Sequence, residues 1–322
     1  MPNDPLPRPR ILADLPVSPV VLGLLGGKCE LLPWETARQS DPGKIDAIYT
    51  YGHPTVDATM LDHLHGVRVI SNFGVGVDHI DVAAATARGI PVGNTPGILD
   101  GATADLAFAL ILAVGRRVVE GDRYARGPGF LRYDPSFMLG REIHGSTLGI
   151  FGLGRIGEQV VKRARGFDMA VIYHNRNRKP SVEATLGARC VSREELLTTA
   201  DYVVLTLPLT SETRGLIGRA ELAMMKPTAS LVNVARGAVV DAAALTEALA
   251  TRKIHAAALD VTDPEPLPRD HPLLKLDNII ITPHLGSATE QTRHSMAERS
   301  IENLFAGLAG QPLPFRVNLI GR

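Results

Sequence analysis

The most constraining stretch of this 322-residue chain is Gly152-Leu153-Gly154-Arg155-Ile156-Gly157. It follows an apolar run, Leu148-Gly149-Ile150-Phe151, and opens a helical pattern over 158–165. Each glycine meets a separate steric demand. The first permits a tight turn, the second lets backbone approach a pyrophosphate, and the third lets helix and strand pack closely. The helix start then offers N–H groups and a partial positive charge to phosphates. A plain glycine-rich turn could use the same string. Its setting between a strand and a helix points instead to a dinucleotide site.

Short apolar runs alternate with helical stretches on both sides of this motif. Strands are expected at 10–13, 29–32, 47–50, 67–71 and 91–94, with helices near 20–25, 57–64 and 80–88. A second series of strands is expected at 147–151, 170–173, 202–205, 230–233, 255–259 and 279–282. Alternation of this kind predicts parallel sheets covered by helices. A long apolar helix over 100–119 separates the series, and a Gly/Pro-punctuated loop over 127–140 follows it. The last helix, 289–308, is expected to return to the first domain. The length suits two domains. The expected division is a dinucleotide-binding domain of residues 100–286 and a substrate domain built from 1–99 and 287–322.

Composition excludes other classes. Lys plus Arg equals Asp plus Glu at 34 each, so no net charge recruits nucleic acid or an anionic membrane. Cys29 and Cys190 are the only cysteines, too few for a disulfide framework and in keeping with a reducing cytoplasm. The apolar run over 15–25 contains Pro16 and Pro19 and is far short of a membrane span. No nucleophile elbow, P-loop or metal-ligand spacing is present, so acyl transfer, phosphoryl transfer and a metal site are not expected.

The second strand of the cofactor series ends Tyr173-His174-Asn175-Arg176. An NAD site usually carries Asp or Glu there for the ribose hydroxyls. Asn175 fills that slot and Arg176 follows, so the absent carboxylate and the planar guanidinium favour a 2′-phosphate, hence NADPH over NADH. A solvated basic loop is the plainer alternative. Three later strand ends each carry one ionisable residue, Arg236, Glu265 and His284. In open parallel sheets ligands lie beyond the carboxyl ends of strands, so the three can meet in one crevice. Reducing a 2-oxo acid needs a cation for the carboxylate, an acid for the new alkoxide, and a group that orients that acid. A carboxylate beside histidine favours the charged imidazole and fixes its tautomer. Singly, each residue could be structural; together, downstream of a dinucleotide fold, they read as catalytic.

These segments, with Asn94-Thr95-Pro96-Gly97, Asp260–Pro266 and Pro283-His284-Leu285-Gly286-Ser287, closely resemble the D-isomer-specific 2-hydroxyacid dehydrogenase family, and most of all its glyoxylate/hydroxypyruvate reductases. The resemblance covers nearly the whole chain. It implies two doubly wound parallel-sheet α/β domains, a Rossmann cofactor domain inserted into a flavodoxin-like substrate domain. It implies Arg236 as substrate-binding cation, Glu265 as partner of the histidine and His284 as proton donor. Asp260 would contact the nicotinamide carboxamide and Thr103 the cofactor phosphates. Motif and resemblance together give a cofactor set of Thr103, Gly152, Leu153, Gly154, Arg155, Ile156, Asn175, Arg176, Leu207, Pro208, Thr213, Val234, Ala235, Asp260, His284 and Gly286. Ser71–Asp78 matches the family's substrate loop, where the N–H groups around Val75 and Gly76 would form a small anion nest. A homodimer is implied, with Phe137 of the loop over 127–140 walling the partner's pocket, since its aromatics have little to pack against in their own domain. Closure of the two domains around the substrate is expected.

A dinucleotide-sensing module without catalysis would use the same motifs, and phenylpyruvate or phosphite are alternative substrates. Formate is disfavoured, because similar formate dehydrogenases place Gln where this chain has Glu265.

Overall fold

The computed structural model describes residues 8–14 and 16–319. Residues 1–7 and 320–322, at the ends of the expected substrate domain, and Leu15, at the head of the apolar run, lie outside the described residues. The chain separates into two compact units, one of residues through Leu99 with those from Thr289 onward, the other Asp100–Ala288. The second border falls two residues beyond the expected one.

In the first unit, β1 (Arg10–Ala13), β2 (Glu30–Pro33), β3 (Ala47–Thr50), β4 (Val69–Asn72) and β5 (Val92–Gly93) form a parallel sheet in the order β2-β1-β3-β4-β5. This is the flavodoxin-like order. Leu12, Ile48, Ile70 and Val92 build the core with Leu61 and Ala85 of the covering helices. Those helices, Ala58–His63 and Val82–Ala87, start where Asp57 and Asp81 accept the N–H groups of Met60 and Ala84, each at 2.8 Å. The helix Glu290–Leu308 returns to this unit, capped by Thr289. Its Ser300 hydroxyl bonds that of Tyr49 at 2.9 Å, and Ser71 Oγ donates to the Ser300 carbonyl at 2.6 Å.

In the second unit, β6 (Thr147–Phe151), β7 (Ala170–His174), β8 (Arg189–Cys190), β9 (Tyr202–Leu205), β10 (Ser230–Asn233), β11 (Ala256–Leu259) and β12 (Ile279–Ile281) form a parallel sheet. The order is β12-β11-β10-β9-β6-β7-β8. Strand β8 was not foreseen, because two residues at a sheet edge carry no apolar run. Period-two alternation fills both faces of the sheet. Tyr202 and Val204 join Leu148, Ile150 and the helix Asp100–Gly115 on one side. Val203 and Leu205 join Phe151, Leu231 and Leu259 on the other. Chain order reverses between β6 and β9, so the carboxyl ends of these two strands bound the crevice where a ligand binds in such sheets.

The helix expected over 100–119 is two helices. A Cβ on Gly115 would lie 2.5 Å from the Tyr202 hydroxyl, so glycine is needed where the first helix crosses β9. Arg117 then takes a left-handed backbone, φ 54°, and a new helix, Val118–Arg126, begins. The loop over 127–140 is irregular as expected. Two of its aromatics, however, do find packing within their own unit. The rings of Phe130 and Phe137 lie 5.7 and 4.8 Å from that of Tyr124. Among the described residues no helix is long and apolar enough to cross a membrane.

Candidate active site

The loop between β6 and the helix Arg155–Ala164 takes its shape from three glycines under three constraints. Gly152 has φ +93°, and a Cβ there would lie 2.7 Å from Leu207 Cβ. A Cβ on Gly157 would lie 2.8 Å from the Gly152 carbonyl. Gly154 faces open space, with no atom within 4 Å of where its Cβ would be. It is also the N-cap of the helix, and no side chain caps the first turn. Open space in front of an uncapped helix start fits a pyrophosphate.

The flanking residues hold this loop in place. Asn175, at the end of β7, is expected at the ribose. Its Oδ1 accepts from the Leu153 N–H at 2.6 Å and its Nδ2 donates to the Leu153 carbonyl at 3.3 Å, so the amide also clamps the glycine loop. Thr206 Oγ1 donates to the Gly152 carbonyl at 2.7 Å. Beyond β9, the Thr213 hydroxyl donates to the Pro208 carbonyl at 2.7 Å and accepts from the Thr210 N–H at 2.8 Å, fixing a turn. Arg176 is exposed, with Nη1 at 3.6 Å from Glu212 Oε2 of that turn.

Past β10, buried Asn233 shapes the segment that carries Arg236. Its Oδ1 accepts from the Ala235 N–H at 3.0 Å and its Nδ2 donates to the Arg236 carbonyl at 2.9 Å. Val234 and Ala235 are buried and Arg236 is half-buried. A Cβ on Gly237 would overlap the Thr262 carbonyl, so this segment and the one after β11 touch backbone to backbone. That second segment carries Asp260 and Glu265. The buried Asp260 carboxylate gathers the end of β12. It accepts from Thr282 Oγ1 at 2.6 Å, the Leu285 N–H at 2.7 Å and the Gly286 N–H at 2.8 Å. Gly286 also faces Thr103, whose Cγ2 would lie 3.3 Å from an added Cβ.

The loop so gathered carries His284 in a left-handed conformation, φ +57°. Its Nδ1 meets Glu265 Oε1 at 2.6 Å, and Glu265 Oε2 accepts from the Thr262 N–H at 3.2 Å. Two residues 19 apart in sequence are thus held as an imidazole–carboxylate pair by the ends of β11 and β12. Nδ1 is committed to the carboxylate, which fixes the orientation and tautomer of the ring.

In the first unit, the expected substrate loop is shaped by asparagine amides. Asn72 Nδ2 donates to the carbonyls of Gly74 and Gly76 at 3.0 and 2.9 Å, and Asn94 Nδ2 to that of Val75 at 2.8 Å. Gly74 does not adopt a left-handed backbone; a Cβ there would crowd His53 Nε2 at 3.2 Å. The pressure against a larger residue at this position is close approach to the His53 ring, not a turn requiring positive φ. The loop-shaping roles of Asn72, Asn94, Thr206 and Asn233 are not legible in the sequence, although Asn72 and Asn94 stand in its matched segments. Asn72 and Asn233 had a signal, a polar residue closing an apolar strand.

What the second unit defines is an NAD(P)-dependent dehydrogenase, and its residues fit that cofactor through the glycine loop and the open helix start. Comparison with known proteins names the lineage. A family model described as "D-isomer specific 2-hydroxyacid dehydrogenase, NAD binding domain" matches residues 108–286. The chain is 44% identical to a glyoxylate reductase from Aeropyrum pernix, covering 97% of this chain and 96% of that one. It is 41% identical to a glyoxylate reductase from Pyrococcus furiosus over the same shares. It is also similar to the structure of an NADPH-dependent glyoxylate/hydroxypyruvate reductase from Sinorhizobium meliloti in complex with NADP and malonate. The TM-score is 0.87 at 31% identity, over 96% of this chain and 97% of that one. The chain belongs to the D-isomer-specific 2-hydroxyacid dehydrogenase family.

Proposed function

We propose that the chain reduces small 2-oxo acids of the glyoxylate and hydroxypyruvate type to D-2-hydroxy acids, with NADPH preferred and NADH accepted less well. The observation that carries this reading is the His284–Glu265 contact of 2.6 Å, in the unit that holds the glycine loop. The names of the relatives support the substrate class, and the basic Arg176 beside Asn175 supports NADPH.

When bound, the dinucleotide supplies a hydride to the carbonyl carbon. Arg236 pairs with the substrate carboxylate and polarises the carbonyl, a charge-assisted contact that orients the reacting carbon. As the new C–H bond forms, the carbonyl π pair moves onto oxygen, and that oxygen takes a proton from His284 Nε2. Glu265 keeps the ring oriented and stabilises its positive charge before transfer. In the first unit, the backbone around Val75 and Gly76, its carbonyls drawn to Asn72 and Asn94, offers N–H groups to an anion. Thr103, Leu153, Gly154, Arg155 and Ile156 face the cofactor phosphates. Asn175, Arg176, Leu207, Pro208 and Thr213 take the adenosine half, and Val234, Ala235, Asp260 and Gly286 the nicotinamide half. The chain works as a homodimer in which Phe137 lines the partner's pocket.

The test is a panel of glyoxylate, hydroxypyruvate, pyruvate and phenylpyruvate, each with NADPH and NADH, followed by loss of the reduced nicotinamide absorbance. Glyoxylate and hydroxypyruvate with NADPH should give the highest kcat/KM. A preference for phenylpyruvate would overturn the substrate class, and a preference for NADH the cofactor choice. No turnover with any pair would leave a binding module.

A further inference from the structure

Arg176 stands in a basic run, Arg176, Arg178 and Lys179, that follows β7. Arg178 is already engaged, its Nε lying 3.1 Å from Glu183 Oε1 on the following helix. Arg176 instead meets a carboxylate on the opposite side of the switch point, Glu212 Oε2 at 3.6 Å. Glu212 is not on a free-swinging loop. It sits in the turn that Thr210 and Thr213 fasten to the Pro208 carbonyl, directly after Leu207, the residue that backs Gly152. The cation expected to meet a 2′-phosphate therefore has an exposed anion from across the switch point as its neighbour.

We propose that Glu212 is a specificity-determining residue that sets how strongly this chain prefers NADPH over NADH. The proposal rests on the NADPH reading given above. A 2′-phosphate must take Arg176 from Glu212 and then bear a negative charge on the neighbouring turn. The uncharged 2′-hydroxyl of NADH meets neither cost. Glu212 thereby supplies, from the β9 side, the carboxylate that the end of β7 lacks. Its effect is to moderate the cofactor preference that Asn175 and Arg176 would otherwise make steep.

The test is direct titration of NADPH and NADH by nicotinamide fluorescence, without substrate, on the wild type, Glu212→Gln, Arg176→Ala and the double variant. Glu212→Gln should tighten NADPH by about two- to fivefold, the size an exposed ion pair can supply, and leave NADH within about twofold. In the Arg176→Ala background the same change should tighten NADPH less, because only direct repulsion remains to be relieved. High salt should shrink the gain. If Arg176→Ala weakens NADPH and Glu212→Gln changes neither cofactor, or both equally, the role of Glu212 is overturned while the NADPH reading stands. If Arg176→Ala leaves NADPH unaffected, the NADPH reading of this site falls, and this proposal with it.

Discussion

Asp260, five residues before Glu265, collects three donors from the end of β12, the segment that carries His284. One buried carboxylate positions the loop and a second, half-exposed one orients the ring. The two should separate in experiment. Glu265→Gln keeps the shape of the side chain and removes its charge. It should lower kcat by about tenfold to a hundredfold, since a well-placed acid contributes about 10²–10⁴ and Gln still orients the ring in part. The dissociation constant for NADPH should stay within twofold in fluorescence titration. An unchanged kcat would remove Glu265 from the chemistry. Arg236, Glu265 and His284 were readable as candidates because the reaction demands a cation, an orienting carboxylate and an acid. The work of Asp260 on the loop was not, because it depends on backbone N–H groups brought in from a different strand.

The elements themselves were largely legible, since buried parallel strands are short apolar runs and glycine-rich turns punctuate them. What the pattern hid were places where tertiary contact overrides local preference. Arg117, with a left-handed backbone, divides a helical pattern expected to run on to 119, and β9 brings the Tyr202 hydroxyl against Gly115 just before it. Gly237 is a comparable case between the segments after β10 and β11. Replacing it with Ala would drive a methyl group into the Thr262 carbonyl, and two backbone segments would have to part. Overpacking costs typically about 1–3 kcal/mol, and immovable backbone puts this site at the upper end. Gly237→Ala should therefore lower Tm by several degrees in thermal unfolding followed by circular dichroism. It should lower kcat/KM as well, since Arg236 and Thr262 both shift. An unchanged Tm would mean the segments separate at no cost.

For the molecule as a whole, the loop over 127–140 sets the expected assembly. Leu131 is 88% exposed, Tyr133 81% and Leu139 70%, an apolar stretch that a solvated surface does not favour. Phe130 and Phe137 are only half covered by Tyr124. The homodimer reading makes this stretch the buried part of the interface, where aromatic residues are enriched. Leu131→Asp combined with Tyr133→Asp should convert a dimer to a monomer in light scattering. Phe137→Ala should stay dimeric and change the ratio of kcat/KM between hydroxypyruvate and phenylpyruvate. A wild type that is monomeric at working concentration would remove this part of the proposal. An unchanged ratio in a dimeric Phe137→Ala would reduce Phe137 to packing.

By itself the sequence determined the class of fold and the cofactor's seat. Apolar runs at strand length, with helices between them, leave parallel sheets as the way to bury both faces. The spacing of Gly152, Gly154 and Gly157 admits a phosphate at one helix start. These are local properties, written in consecutive residues. Tertiary structure alone decided which polar groups meet. It spent both ends of the Asn175 amide on Leu153, set Glu212 beside Arg176, and gave Asp260 the loop that carries His284. The physical reason is that a strand end fixes only where a side chain starts. Its partner comes from another strand end twenty or more residues away, chosen by sheet order and register, which no local pattern encodes.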